Sequence, residues 1–124
     1  MSKNTTPLER DEQITLVNWL EIKKLTFTAI PNSTYTTSWK QKRLNTATGL
    51  RAGFPDMIVL IPANRCIVNR SVMLCIELKR QKGGVTKPHQ KEWIKQLNEI
   101  ADVESKVCKG FAEARDYINI FLTK

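Results

Sequence analysis

The chain has 124 residues, enough for one compact domain around a single hydrophobic core and too few for separate catalytic and binding units, so residues 1–124 are read as a single domain. Its formal charge of +8 and pI near 9.6 make polyanions the first class of partner, nucleic acid or an anionic membrane surface. Three cysteines without CxxC spacing and a single histidine exclude a disulfide framework and a His-rich zinc hydrolase, and no apolar run reaches the roughly 20 residues of a membrane span.

The first residues, MSKNTTPLERDEQ, lack the apolar core of a secretion signal, so a soluble intracellular protein is expected. Residues 8–25 carry Leu16, Val17 and Leu20, with Trp19 beside them, at the spacing of an amphipathic helix, and Pro7 suits its first turn. Glu9, Gln13, Leu16 and Leu20 are read as one stripe, which turns Glu9, with Glu12 as the alternative, toward whatever the helix packs against. LTFTAIPNS alternates like a strand ending at Pro31. TYTTSWKQKRLNTATGLRAGF is polar, Thr-rich and basic, which predicts an irregular strand and a mobile loop. DMIVLIP and VMLCIELK are apolar at successive positions, as in central strands covered on both faces, and PANRCIVNRS links them as a turn or short hairpin. KGGVTKPHQ is a Gly-rich loop, and Trp93, Ile94, Leu97 and Ile100 mark a helix over residues 88–100. SKVCK is a short strand and GFAEARDYINIFL a closing helix with Phe111, Ala114, Tyr117, Ile118 and Phe121 inward. Cys66, Cys75 and Cys108 read as reduced, buried filler of strands. The order predicts an α/β domain, a small mixed sheet flanked by helices.

One segment asks for more than a core. VMLCIELK turns charged only at its end, where Glu77 and Lys79 share the face of Met73 and Cys75, whereas a solvated face alternates along its whole length. That end is expected to open into a cleft. If this strand and the one that Asp56 precedes are antiparallel, Asp56 meets Glu77 and Lys79 in space. Two close carboxylates repel unless a cation lies between them, and a hard ion such as Mg²⁺ takes oxygen ligands and keeps waters for chemistry. Lys79 then has the chemistry to orient or deprotonate an attacking water and to stabilise a phosphorane. Taken singly, a Pro-Asp turn and a surface Glu-x-Lys pair worth about 0–1 kcal/mol are ordinary; the inference lies in their combination.

The succession of Glu9 or Glu12 on a first helix, then GFPD, then IELK resembles the PD-(D/E)XK nuclease superfamily with its restriction-endonuclease-like core. TGLRAGFPDMIVL followed by CIELKRQKGGVTKPHQKEWIKQL is similar within it to the VRR-NUC domain, the virus-type replication and repair nuclease domain also found at the end of the Fanconi-associated nuclease. The likeness covers residues 9–118 and is most specific over 53–90. It implies a phosphodiesterase dependent on Mg²⁺ or Mn²⁺, with Asp56 and Glu77 as metal ligands, the Leu78 carbonyl as a further one and Lys79 as the catalytic lysine. Gln90 and Gln13 match recurrent family glutamines. For the helix carboxylate Glu9 is preferred, with Glu12, about 60° around the helix, as the alternative.

Further readings concern the nucleic acid. Gly83 and Gly84 permit a tight turn whose amides approach phosphate, or form a plain strand-to-helix turn. Arg80, Lys82, Lys87 and Lys91 suit a phosphate track or a solvated face. Lys40, Lys42, Arg43 and Arg51 are expected to hold the scissile strand or a branch point, with Trp39 beside them as a DNA contact, or else as core or dimer contact. His89 is expected to cap the helix or lie on the surface. Two analogies give a junction-resolving endonuclease acting as a homodimer on branched DNA: small single-domain relatives, and the two-fold symmetry of four-way junctions. A non-catalytic nucleic-acid-binding module and a flap-, single-strand- or end-directed nuclease are the alternatives. Neither a membrane nor a small-molecule cofactor is expected, and the compartment is the cytoplasm, with a phage gene in a bacterial host admitted as the source.

Overall fold

The computed structural model describes residues 6–31 and 38–124. In chain order it contains α1 (Glu9–Lys23), β1 (Thr26–Ala29), α2 (Trp39–Ala47), β2 (Met57–Ile61), a 3-10 turn (Ala63–Arg65), β3 (Val72–Lys79), α3 (Pro88–Asn98), β4 (Val103–Lys109) and α4 (Phe111–Phe121). The strands form one sheet in the order β1-β2-β3-β4. β2 pairs antiparallel with both β1 and β3, and β4 runs parallel to β3, so the sheet is mixed as expected. A parallel neighbour needs a crossover, and α3 supplies it.

The two sheet faces do different work. Met57, Val59 and Ile61 of β2 and Leu74, Ile76 and Leu78 of β3 are fully buried against Leu16 and Leu20 of α1 and Ala114 and Ile118 of α4. Each of these side chains larger than Ala114 contributes about 1.5–3 kcal/mol by leaving water, and this face holds the fold. The other face of β3 and β4 carries α3, whose Asn98 amide both accepts from the Ser105 N–H (2.7 Å) and donates to the Ser105 carbonyl (3.0 Å). That cover does not extend over β2, where Ile58 is half-buried and Leu60 exposed, so of the two strands predicted to be covered on both faces only β3 is.

Other boundaries differ from the sequence reading for local reasons. Pro7 precedes the first turn of α1, whose N-cap is Leu8. The link after β2 is tied down by Arg65, whose guanidinium donates to the Lys23 and Lys24 carbonyls at the C-terminus of α1, and by a bridge between Cys66 and Leu122. Cys66 is therefore outside the strands, while Cys75 and Cys108 are within them; all three are free and buried. The expected loop around Trp39 is instead the helix α2, started by Ser38 Oγ accepting the Gln41 N–H at 3.2 Å. None of its residues is buried, and Trp39 is 76% exposed, which corrects its reading as core. The part of the expected irregular strand and loop of residues 34–54 that precedes residue 38 lies outside the described residues. Among the described residues no helix is long and apolar enough to cross a membrane.

Candidate active site

Antiparallel pairing of Met57 with Ile76 sets Asp56, one residue before β2, across from Glu77 near the end of β3. Asp56 Oδ2 accepts the Leu78 N–H at 2.8 Å. A strand residue presents its N–H and C=O to the same neighbour, so the Leu78 carbonyl also lies on the side of Asp56. Glu77 and Lys79 emerge on the sheet face that carries α3, 2% and 9% exposed. Lys79 Nζ stands 3.3 Å from Glu77 Oε2, and Gln90 Nε2 donates to the same oxygen at 3.0 Å. Gln90 Oε1 in turn accepts the Lys87 N–H at 2.8 Å, so that amide is fixed at one end by the start of α3 and at the other by Glu77 of β3. Glu77 Oε1 is buried and has no hydrogen-bond partner among the described residues.

These groups border a cleft of about 310 Å³, with Glu9 on one wall and Ala52, Phe54, Lys87 and His89 on others. Burial, then the negative charge of Asp56, push the Glu77 carboxyl up to about 7, against the opposing pull of Lys79. Glu9 is raised too, by burial first and Asp56 second. Three carboxyl groups thus bear on one another across a cleft with a single buried ammonium. Among the described residues no group of three or more His, Cys, Asp and Glu converges closely enough to enclose an ion. Two carboxylates, a carbonyl and waters form the open, oxygen-only set that Mg²⁺ accepts, and the unpartnered Glu77 Oε1 is an oxygen with capacity for a cation. The donor set therefore fits a hard divalent ion.

Glu12 and Glu9 part company here. Glu12, not Glu9, continues the buried stripe of Leu16 and Leu20. Its Oε2 accepts the N–H of Phe111, the first residue of α4, at 3.1 Å and the Gln81 amide at 3.3 Å, so it caps that helix and does not border the cleft. Glu9 reaches the cleft from the edge of the stripe, which corrects the reason for preferring it. Gln13 lies one turn further along α1, in a neighbouring depression that shares Glu9 with the cleft, and is not among the residues that border the cleft itself.

The basic residues also divide. Arg80 donates to the Thr6 and Pro7 carbonyls, a clamp that holds the entry to α1, and with it Glu9, against the end of β3. Arg51 Nη1 donates to the Thr46 and Leu50 carbonyls and closes the C-terminal end of α2. Lys87 borders the cleft, Lys82 and Lys91 are exposed beyond it, and Lys40, Lys42 and Arg43 are exposed on α2, with the Lys42 ammonium 5.3 Å from the centre of the Trp39 ring. Gly83 has φ +84, and a Cβ on Gly84 would come within 2.9 Å of Lys79 Cβ, so the loop after β3 packs directly on the buried lysine. His89 neither caps α3, whose N-cap is Lys87, nor ion-pairs among the described residues; it is exposed at the cleft.

Two features escaped the sequence reading. At Gly53, with φ +101, a Cβ would come within 2.6 Å of His89 Cδ2, and the segment leading into Asp56 is thereby pressed against the start of α3. Trp93 of α3 donates its indole N–H to the Ala52 carbonyl at 3.0 Å and meets Phe54 edge to face at 5.1 Å. The signal was the pairing of GF with a Trp on the following helix, which periodicity alone had assigned to the core.

The family model of the VRR-NUC domain matches residues 3–112. A solved structure titled VRR_NUC domain protein superposes with a TM-score of 0.70 at 21% identity, over 97% of this chain and 90% of that one, and so shares its fold. None of the curated proteins compared matches.

Proposed function

The chain belongs to the VRR-NUC domain family and is a nuclease-type domain, and from that premise we propose that it is a metal-dependent, structure-selective DNA endonuclease that resolves four-way junctions. The observation that carries the reading is the meeting of Asp56 and Glu77 at the ends of two antiparallel strands, with Lys79 Nζ 3.3 Å from Glu77 and one Glu77 oxygen buried without a partner.

In this reading Asp56, Glu77 and the Leu78 carbonyl would hold Mg²⁺ or Mn²⁺, with Glu9 bordering the same cleft. The ion supplies Lewis-acid polarisation of the scissile phosphoryl group and acidifies water. Gln90 holds Glu77 Oε2, and Oε1, which has no partner among the described residues, is the oxygen that would be offered to the ion. Lys79, buried beside Glu77, orients the attacking water, whose proton passes to solvent as its oxygen bonds to phosphorus, and stabilises the negative charge on the phosphoryl oxygens while the bond to the leaving oxygen breaks and that oxygen takes a proton from water. A positioned donor of this kind is worth about 2.7–4 kcal/mol. Lys87 at the cleft and the exposed lysines beyond it neutralise flanking phosphates.

The test is a panel of labelled duplex, single-stranded, flap and four-way-junction DNA incubated with the protein in Mg²⁺, Mn²⁺, Ca²⁺ or EDTA. The reading expects paired, Mg²⁺- or Mn²⁺-dependent incisions in the junction. Cleavage of flaps or free ends alone removes the resolving activity and leaves the nuclease chemistry; no metal-dependent cleavage of any substrate removes both.

A further inference from the structure

Beside the cleft lies a second, larger depression of about 650 Å³, within the roughly 300–1,000 Å³ of small-ligand sites. Ala52 and His89 line both, so the two adjoin. Trp93, Pro88 and Arg51 form its other sides, and Glu92 lies within it, its carboxylate accepting the Gln96 amide at 2.9 Å. The Trp93 ring is fixed by its hydrogen bond to Ala52 and its edge-to-face contact with Phe54. A rigid aromatic wall next to a phosphate-cleaving site is a surface on which a nucleobase stacks. Glu92 argues for a base rather than a second phosphate, because its negative charge repels phosphate and accepts hydrogen bonds from base amino groups.

We infer that this depression is a subsite for one unstacked nucleobase next to the scissile phosphate, held between Trp93 and His89. The inference rests on the nuclease reading and deepens it: a base enters only where it can leave the helical stack, as at a branch point, and leaving the stack costs least where pairing is already broken. Selectivity for branched substrates then resides partly beside the catalytic groups.

The experiment measures binding without cleavage. In EDTA, a short single-stranded oligonucleotide is compared with a backbone of equal length bearing abasic sites throughout, using wild type, Trp93→Leu and His89→Ala. The expected result is base-bearing DNA bound about tenfold or more tightly than abasic DNA by the wild type, the scale of base stacking on an aromatic residue, with that ratio falling severalfold in both variants. Thermal unfolding checks that each variant folds; His89 is exposed, so His89→Ala carries the test if Trp93→Leu does not fold. Equal affinity for both oligonucleotides in the wild type overturns the subsite, as does a ratio that the folded variants retain. Mg²⁺-dependent cleavage of a four-way junction by the wild type is scored separately. Base discrimination without cleavage overturns the nuclease reading alone, and cleavage without discrimination overturns the subsite alone.

Discussion

Glu77 is held in a setting that is unfavourable to its own charge. Its carboxyl is raised from 4.5 to about 7, chiefly by burial and then by Asp56. Between those values the folded protein keeps a proton that the unfolded chain has released, so this contribution to stability is intact below about 4.5 and is lost as pH rises through about 7. The loss is on the order of 1–3 kcal/mol. Without divalent ions at pH 8, Glu77→Gln is therefore expected to melt above the wild type, and Mg²⁺ or Mn²⁺ to raise the melting temperature of the wild type only; calorimetry reads both. Because an ion must displace that proton below about pH 7, cleavage should also rise with pH up to that point. Lys79→Gln should retain DNA affinity and lose about 10²-fold or more in turnover, since its proposed role is made in the transition state. A rate loss matched by an equal loss of affinity would make Lys79 a phosphate anchor. This trio was legible in the sequence because strand parity and antiparallel pairing are enough to bring it together. The role of Glu12 was not legible, because the group it caps, the N–H of Phe111, lies 99 residues away in the chain.

At the scale of elements, α1 carries two carboxylates with separate tasks, and substitution separates them. Glu12→Gln weakens the cap of α4 and should cost about 1–3 kcal/mol of stability, seen as a lower unfolding midpoint, with cleavage retained in the folded fraction. Glu9→Gln should do the opposite, slowing cleavage while leaving the midpoint nearly unchanged. If both effects fell on Glu12, the helix carboxylate would have been misplaced. A small mixed sheet flanked by helices followed from pattern, whereas the antiparallel pairing of β2 with β3 was only a condition of the sequence reading and the parallel placement of β4 is seen only in the fold. The helix α2 did not, because its residues bury nothing and so carry no apolar period; its start depends on Ser38 and its end is closed by Arg51, signals local to a few atoms. Arg80 and Arg51 were read as phosphate contacts for their charge alone, whereas their guanidinium groups meet backbone carbonyls that only the fold brings near.

At the scale of the whole molecule, a chain with charge +8 and an exposed basic helix offers a positive surface, but one copy has a single cleft of this kind among the described residues. A two-fold dimer would present two such clefts to the two opposed strands of a junction. We expect sedimentation as a dimer at micromolar concentration and steep weakening of DNA binding with salt, each neutralised phosphate adding about −0.9 to the slope of log K against log salt. A monomer both free and on DNA would contradict the paired-incision reading. The cleavage chemistry depends less on assembly or substrate shape than on Asp56 and Glu77, which together would hold the ion that hydrolysis requires. Its most direct measurement is the rate of incision of a labelled four-way junction in Mg²⁺ by wild type, Asp56→Asn and Glu77→Gln, each shown by calorimetry to be folded. The wild type is expected to incise the junction in a reaction that EDTA abolishes, and each variant to lose about 10²-fold or more. Either variant cutting at more than about a tenth of the wild-type rate, against that expected loss, would contradict it.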